Sequence, residues 1–366
     1  MKKIGIITFH KAYNYGALLQ AFALKKKLIL MDNHVHIIDY NNKFLYKNYR
    51  LIHPFRKNIF KYLKILYLDI KNYKINKKRK EMFDSFIDKN FDLINVKVEN
   101  ELDCIITGSD QVWNIDITGK LDDFYTLNNK ECENVKNKIS YAASVGDSNL
   151  IIQNQHLYKQ KISKLNHISV REENAKKELL KIINKDINVV LDPTLLLTNN
   201  DWNREIYNKK MVDEDYILAY VVEPDKDYIK IVNKLSEDTG LKVIHFGLEN
   251  PGYKNVLKSA YTEGPFEFIN YIKNAKYVVA TSFHATVFSI IFNRKFFIIP
   301  HKKTGARVTN LLDKLSIKGR TFNSYDEFKN IDYDFDTNWE EVNKKLDIER
   351  EKSINWLLNA INNEKE

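Results

Sequence analysis

The stretch "YVVATSFHATVFSIIF" (277–292) sets a serine and a histidine directly after an apolar run. Ser282 stands where a helix N-cap would stand, and His284 then falls in the first helical turn. A helix start offers free backbone N–H groups and the positive end of the macrodipole, so it stabilises a phosphate. The Ser282 hydroxyl and a protonated imidazole would add to that. Histidine also has an ordinary pKa near neutrality, which suits it to proton transfer. A lone histidine in such a place would equally serve as a packed core residue. Lys302, Lys303 and Arg307 follow the next apolar run in "PHKKTGAR". Three cations beside a helix start point to an anionic ligand.

Other polar clusters also end apolar runs. In "HISVREENA", Arg171 opens a helix. The dipole disfavours a cation there, so an anion is expected to meet it. Glu172 or Glu173 would do so in a plain salt bridge, and a bound carboxylate or phosphate would fit the guanidinium fork as well. "IITGSDQVWN" ends in Ser109, Asp110 and Gln111, with Trp113 and Asn114 following. Carboxylates and amides hydrogen-bond sugar hydroxyls, and an indole receives a sugar's C–H face. Asp110 would equally serve as an N-cap, and tryptophan packs in cores. "FHKAYNYGALLQAFAL" turns at Asn14, Tyr15 and Gly16 into a helix opening at Gly16. Its N–H groups would take an anion or a sugar hydroxyl, though an ordinary strand-to-helix turn is equally compatible. Ser144, at the end of "SYAAS", joins these candidates. Neither a G-x-G-x-x-G fingerprint nor a Walker A loop is present, and the HExxH and CxxC patterns are absent, so no metal is expected.

The elements that would position these residues alternate. "KIGIITF", a helix through Leu18, Leu19, Phe22 and Leu28, and "HVHIIDY" read as strand, helix, strand. "DCIIT", "KISYAAS", "HISV" and "INVVLDPTLLL" continue the pattern, the last closed by Asp192-Pro193. "YILAYVV", "KVIHFG", "YVVAT" and "FFIIP" form a second alternating set. Both halves read as Rossmann-like parallel α/β domains. The expected division is 1–197, 198–340 and a terminal helix, 341–366, crossing back. Ligands of such sheets gather at the carboxyl ends of the strands, in a cleft expected between the domains.

At 366 residues two domains are the default. "MKK" followed by six mostly apolar residues is too short for a signal peptide, and no run is long enough to span a bilayer. A cytoplasmic location is expected. The two cysteines, Cys104 and Cys132, agree with a reducing compartment. The net charge of +10 is concentrated: Lys43–Lys80 holds 13 Lys/Arg against one acid, Asp69, and so carries +12. Ile59, Leu63, Leu66 and Ile70 follow helical spacing there. Such a helix suits an anionic membrane surface, or packs on its own domain with a solvated basic face. Nucleic acid is not expected, because no nucleic-acid-binding signature accompanies the patch.

Taken together, "GIITFHKAYNYGALLQAFAL", "DCIITGSDQVWN", "SYAASVG", "ISVREE", "VVLDPTLLL", "GPFEFINYIKNAKYVVATSFHATVFSIIFNRKF" and "ARVTNLLDKL" resemble, in order, the signatures of the polysaccharide pyruvyl transferase family. The resemblance implies a GT-B-like fold. It also implies an enzyme that uses phosphoenolpyruvate as co-substrate, without a further cofactor, to place a pyruvate ketal on a sugar of a surface polysaccharide or its lipid-linked precursor. Arg171 falls on the family's donor-binding arginine and His284 on its histidine. Many members carry arginine two positions before that histidine, where this chain has Ser282. Lys302, Lys303 or Arg307 would supply the missing charge. On this resemblance His284 is the acid or the phosphate holder, and Asp110 is a candidate base. A polyprenyl-diphosphate-linked acceptor would give the basic segment a use at the inner face of the membrane. The alternatives are a sugar-nucleotide glycosyltransferase of the same fold and a non-catalytic membrane- or polyanion-binding protein.

Overall fold

The computed structural model describes residues 1–55, 58–95, 102–206, 210–221, 224–300, 305–334 and 336–363. The chain divides into two compact units, Met1–Leu196 with Lys352–Glu366, and Leu197–Glu351. Each is built on a parallel sheet with helices between its strands.

In the first unit β1 (Lys3–Ile7) leads into α1 (Tyr15–Leu30), then β2 (His34–Asp39) and the one-turn α2 (Lys43–Tyr46). Two longer helices, α3 (Ile59–Lys71) and α4 (Tyr73–Asn90), precede β3 (Leu93–Asn95) and β4 (Cys104–Gly108). After α5 (Ile115–Thr118) come β5 (Asn137–Ala143), α6 (Asn149–Gln153), α7 (Gln155–Ile162), β6 (His167–Val170), α8 (Glu173–Leu180) and β7 (Ile187–Val189). The seven strands lie in the order β3-β2-β1-β4-β5-β6-β7, all parallel. The central strands are buried along nearly their whole length, as expected of a sheet covered on both faces.

The second unit runs through α9 (Asn199–Glu205), β8 (Tyr216–Tyr220), α10 (Lys226–Thr239), β9 (Lys242–His245) and β10 (Val256–Ser259). It continues with α11 (Pro265–Asn274), β11 (Tyr277–Ala280), α12 (Phe283–Ile291), β12 (Lys295–Ile298), α13 (Ala306–Lys314) and α14 (Tyr325–Phe328). Its five strands are also parallel, in the order β10-β9-β8-β11-β12. The terminal helix α15 (Trp339–Asn362) starts within this unit, and its residues from Lys352 onward belong to the first. There the Ser353 hydroxyl accepts the Leu191 amide at 3.0 Å, and the Ala360 carbonyl accepts Asn137 Nδ2 at 2.8 Å.

Three details depart from expectation. The edge strands β3 and β10 have no apolar run to announce them; "LIN" and "VLKS" are only partly buried. The stretch around Asp192-Pro193 is not strand. β7 stops at Val189, and Pro193–Leu195 forms a short 3₁₀ helix whose N-cap Asp192 accepts the Thr194 amide at 3.0 Å. The basic insertion divides in two. On α4, Phe83, Phe86 and Ile87 are buried, and Arg79 donates to the Tyr15 hydroxyl at 2.7 Å. On α3 only Asp69 is buried.

Candidate active site

Sheet order marks one switch point in each unit. In the first unit successive strands run outward from β1 to one side and from β4 to the other, so the order reverses between β1 and β4. In the second it reverses between β8 and β11. Loops leaving the carboxyl ends at such a switch point diverge and leave a crevice, where ligands of open α/β sheets bind. The loop after β1 carries Asn14 and leads into Tyr15 and Gly16 at the start of α1; the loop after β4 carries Ser109–Asn114; the loop after β11 carries Ser282 and leads into His284.

A buried polar network underlies the first switch point. Gln20, on α1, is fully buried. Its amide donates to Thr8 Oγ1 at 2.9 Å and its Oε1 accepts the Ser109 amide at 3.0 Å, tying the end of β1 to the end of β4. Arg171 donates to the Ser109 hydroxyl and lies 2.9 Å from Asp192 Oδ2. The anion that meets Arg171 is thus Asp192, not Glu172 or Glu173. Glu172 instead accepts the Ser144 hydroxyl. With its side chain 3% exposed, Arg171 is part of the floor of this edge.

That burial corrects most of the acceptor-side assignments. Trp113 is 0% exposed and its Nε1 donates to the Tyr125 carbonyl at 3.0 Å, so no sugar can lie on its indole. Tyr15 is buried beneath Arg79, and Gly16, Ser109 and Ser144 are buried as well. Asn114 is the N-cap of α5, its Oδ1 accepting the Asp116 amide. Access remains at Asn14, which is exposed, and at the half-buried Asp110 and Gln111. Asn14 also caps α1. Asp110 is not an N-cap: it sits at φ 47° in the left-handed region, and its carboxylate accepts the Gln111 amide at 2.8 Å. Gly146 lets this loop close, because at its φ of +78° a Cβ would stand 2.1 Å from Gln111 Oε1.

One polar group here escaped the sequence. His10, fully buried after β1, places Nε2 3.1 Å from Asp39 Oδ1, and Lys11 Nζ donates to Asp39 Oδ2 at 2.8 Å. The His10 contact, with Lys11 adding, holds the Asp39 carboxyl well below the usual carboxylate range. "TFHK" and "IIDY" were the available signal, one polar residue at the end of each of two neighbouring strands.

In the second unit β11 is wholly buried and Thr281 continues its ladder, donating to the Tyr220 carbonyl at 3.2 Å. Ser282 is the N-cap of α12, although its side chain makes no capping bond; its carbonyl accepts the Thr286 amide at 3.1 Å. The Ser282 hydroxyl is therefore not committed to the helix start. His284 is the one titratable residue on a nine-residue helix of otherwise apolar and hydroxyl side chains, and it is 9% exposed. Arg307, on α13, sets its guanidinium 5.8 Å from the ring of Phe283, which brings a cation to the first turn of α12. Lys302 and Lys303 lie outside the described residues. Among the described residues no three His, Cys, Asp or Glu side chains cluster as a metal ion would require.

A family model described as polysaccharide pyruvyl transferase matches residues 14–303. No curated protein matches the chain. Among solved structures, the chain is similar to S. aureus MnaA in a co-structure with UDP, at 13% identity and a TM-score of 0.52, covering 100% of this chain and 98% of that one. A UDP-N-acetylglucosamine 2-epimerase structure gives 13% and 0.52 over 100% and 97%. The UDP-N-acetylglucosamine 2-epimerase from Rickettsia bellii gives 10% and 0.50 over 99% and 97%. These proteins have the GT-B fold, and at such identities the likeness is one of fold alone.

Proposed function

The chain belongs to the polysaccharide pyruvyl transferase family, and on that premise we propose that it transfers the pyruvyl unit of phosphoenolpyruvate to a sugar of a lipid-linked polysaccharide precursor. Protonation of C3 makes C2 electrophilic, a sugar hydroxyl adds there, phosphate departs, and a second hydroxyl closes the ketal. Such a path needs an acid, a base and cations for two anionic groups.

The observation that carries this reading is the placement of His284 in the first turn of α12, at the switch point between β8 and β11. There the helix N–H groups, the Ser282 hydroxyl and Arg307 receive the phosphate, and His284 delivers the proton or holds the leaving group. Arg171 enters as a positioning residue, since its guanidinium already faces Asp192. Asp110 is the proposed base for the acceptor hydroxyl, and Asn14 and Gln111 bind the acceptor.

A ligand of the native state raises the melting temperature, by a stabilisation of about 2.7 kcal/mol at a hundredfold its Kd. Phosphoenolpyruvate is expected to do so, and His284→Asn to weaken the shift. Stabilisation by UDP-N-acetylglucosamine with no response to phosphoenolpyruvate would favour a sugar-nucleotide enzyme instead.

A further inference from the structure

Helix α3 turns the wrong face outward for a helix bathed in water. Phe60 is 82% exposed, Tyr67 65%, Ile70 63% and Leu63 52%. At about 100° per residue these four cluster on one side of the helix, flanked by the exposed Lys64 and Lys71. The opposite side carries Tyr62, Ile65, Leu66 and the one acid of the segment, Asp69. Asp69 is buried and accepts the His53 amide at 2.9 Å. An ordinary surface helix hides its apolar stripe and shows its charges of both signs. Here the acid is hidden, and apolar side chains and lysines share the exposed face. The next helix behaves differently: Arg79 reaches Tyr15, and Lys80 pairs with Asp84.

A large exposed apolar patch marks a binding surface, and its charge selects the occupant. The segment's +12 opposes a second copy of the same face. Nucleic acid would meet the lysines but give Leu63 and Ile70 nothing to enter. A bilayer with anionic headgroups accommodates both, apolar side chains entering the acyl boundary and lysines remaining among the phosphates. Among the described residues no helix is long and apolar enough to cross a membrane, so contact would be made by lying on it. We infer that α3 is a docking face for an anionic lipid bilayer, a property that stands on the helix itself and not on the reaction proposed above.

Flotation of the full-length protein with vesicles tests this. It is expected to rise with phosphatidylcholine vesicles containing phosphatidylglycerol and to remain behind with phosphatidylcholine alone. K61Q, K64Q and K71Q should each weaken binding about fivefold. A Phe60→Ser, Tyr67→Ser variant should also bind less, while keeping the salt dependence of the wild type. All these positions are exposed, and unchanged melting curves would show that the variants fold. Because both native cysteines are buried, a polarity-sensitive dye on Phe60→Cys should report entry into anionic vesicles by a blue shift. No flotation, equal flotation on neutral vesicles, or indifference to both sets of substitutions would overturn the inference. So would self-association or duplex DNA binding that is lost in the Phe60→Ser, Tyr67→Ser variant while flotation persists.

Discussion

Arg171 Nη2 lies 2.9 Å from Asp192 Oδ2 with the two side chains 3% and 0% exposed. Asp192 Oδ1 takes both the amide and the hydroxyl of Thr194, at 3.0 and 2.6 Å. A buried ion pair is costly to desolvate, but removing one partner strands the other charge and costs about 3–5 kcal/mol. Arg171→Ala and Asp192→Ala are each expected to lower the denaturation midpoint accordingly. Arg171→Met combined with Asp192→Leu should recover part of that loss. Single variants that unfold with the wild type would show that the pair does not hold this edge together.

Trp113 offers a second stability test. Its full burial and its bond to the Tyr125 carbonyl make Trp113→Ala a cavity mutation, expected to cost about 3–5 kcal/mol. Trp113→Phe should leave the acceptor KM unchanged. A raised KM with unaltered stability would instead place the indole against the sugar.

Asp39 makes part of the stability depend on pH. Its folded pKa is depressed, chiefly by His10, so its contribution is present above the unfolded carboxylate's pKa of about 4 and fades as pH falls toward the folded value. The side chain is 37% exposed, and solvent reduces the effect. Asp39→Asn is expected to lower the melting temperature at neutral pH and to lose less of it on acidification than the wild type. Parallel acid profiles would contradict this.

In the proposed chemistry, helix N–H groups and protein cations hold phosphoenolpyruvate. Prolonged EDTA treatment is therefore expected to leave the transfer rate unchanged. A loss reversed by added divalent ions would require a metal in the reaction.

The fold was legible where burial is continuous. "GII", "CIIT" and "YVVA" announce central parallel strands because both faces of these sheets are covered. The edges β3 and β10 were not legible, since a half-covered strand needs no apolar run. The helical spacing of Ile59, Leu63, Leu66 and Ile70 was visible, but not which side turns outward. Only Leu66 of these four faces inward, while the other three are exposed. At the candidate site, the position of Ser282 and His284 at a helix start was legible from their place after a strand. Arg171's partner was hidden because Asp192 reaches it only through the folding of β6 beside β7. Trp113 misled for a related reason: a polar neighbourhood in sequence says little about where an indole points.

Incubation of the protein with phosphoenolpyruvate and lipid-linked glycans, with the products followed by mass, tests the proposed transfer directly. The expected product is a glycan that has gained one pyruvate ketal, with one phosphate released per ketal and a rate about 10²–10⁴-fold lower for His284→Asn. A glycan that gains no ketal from phosphoenolpyruvate would rule the transfer out, and a His284→Asn protein that forms the ketal at the normal rate would rule out the role of His284.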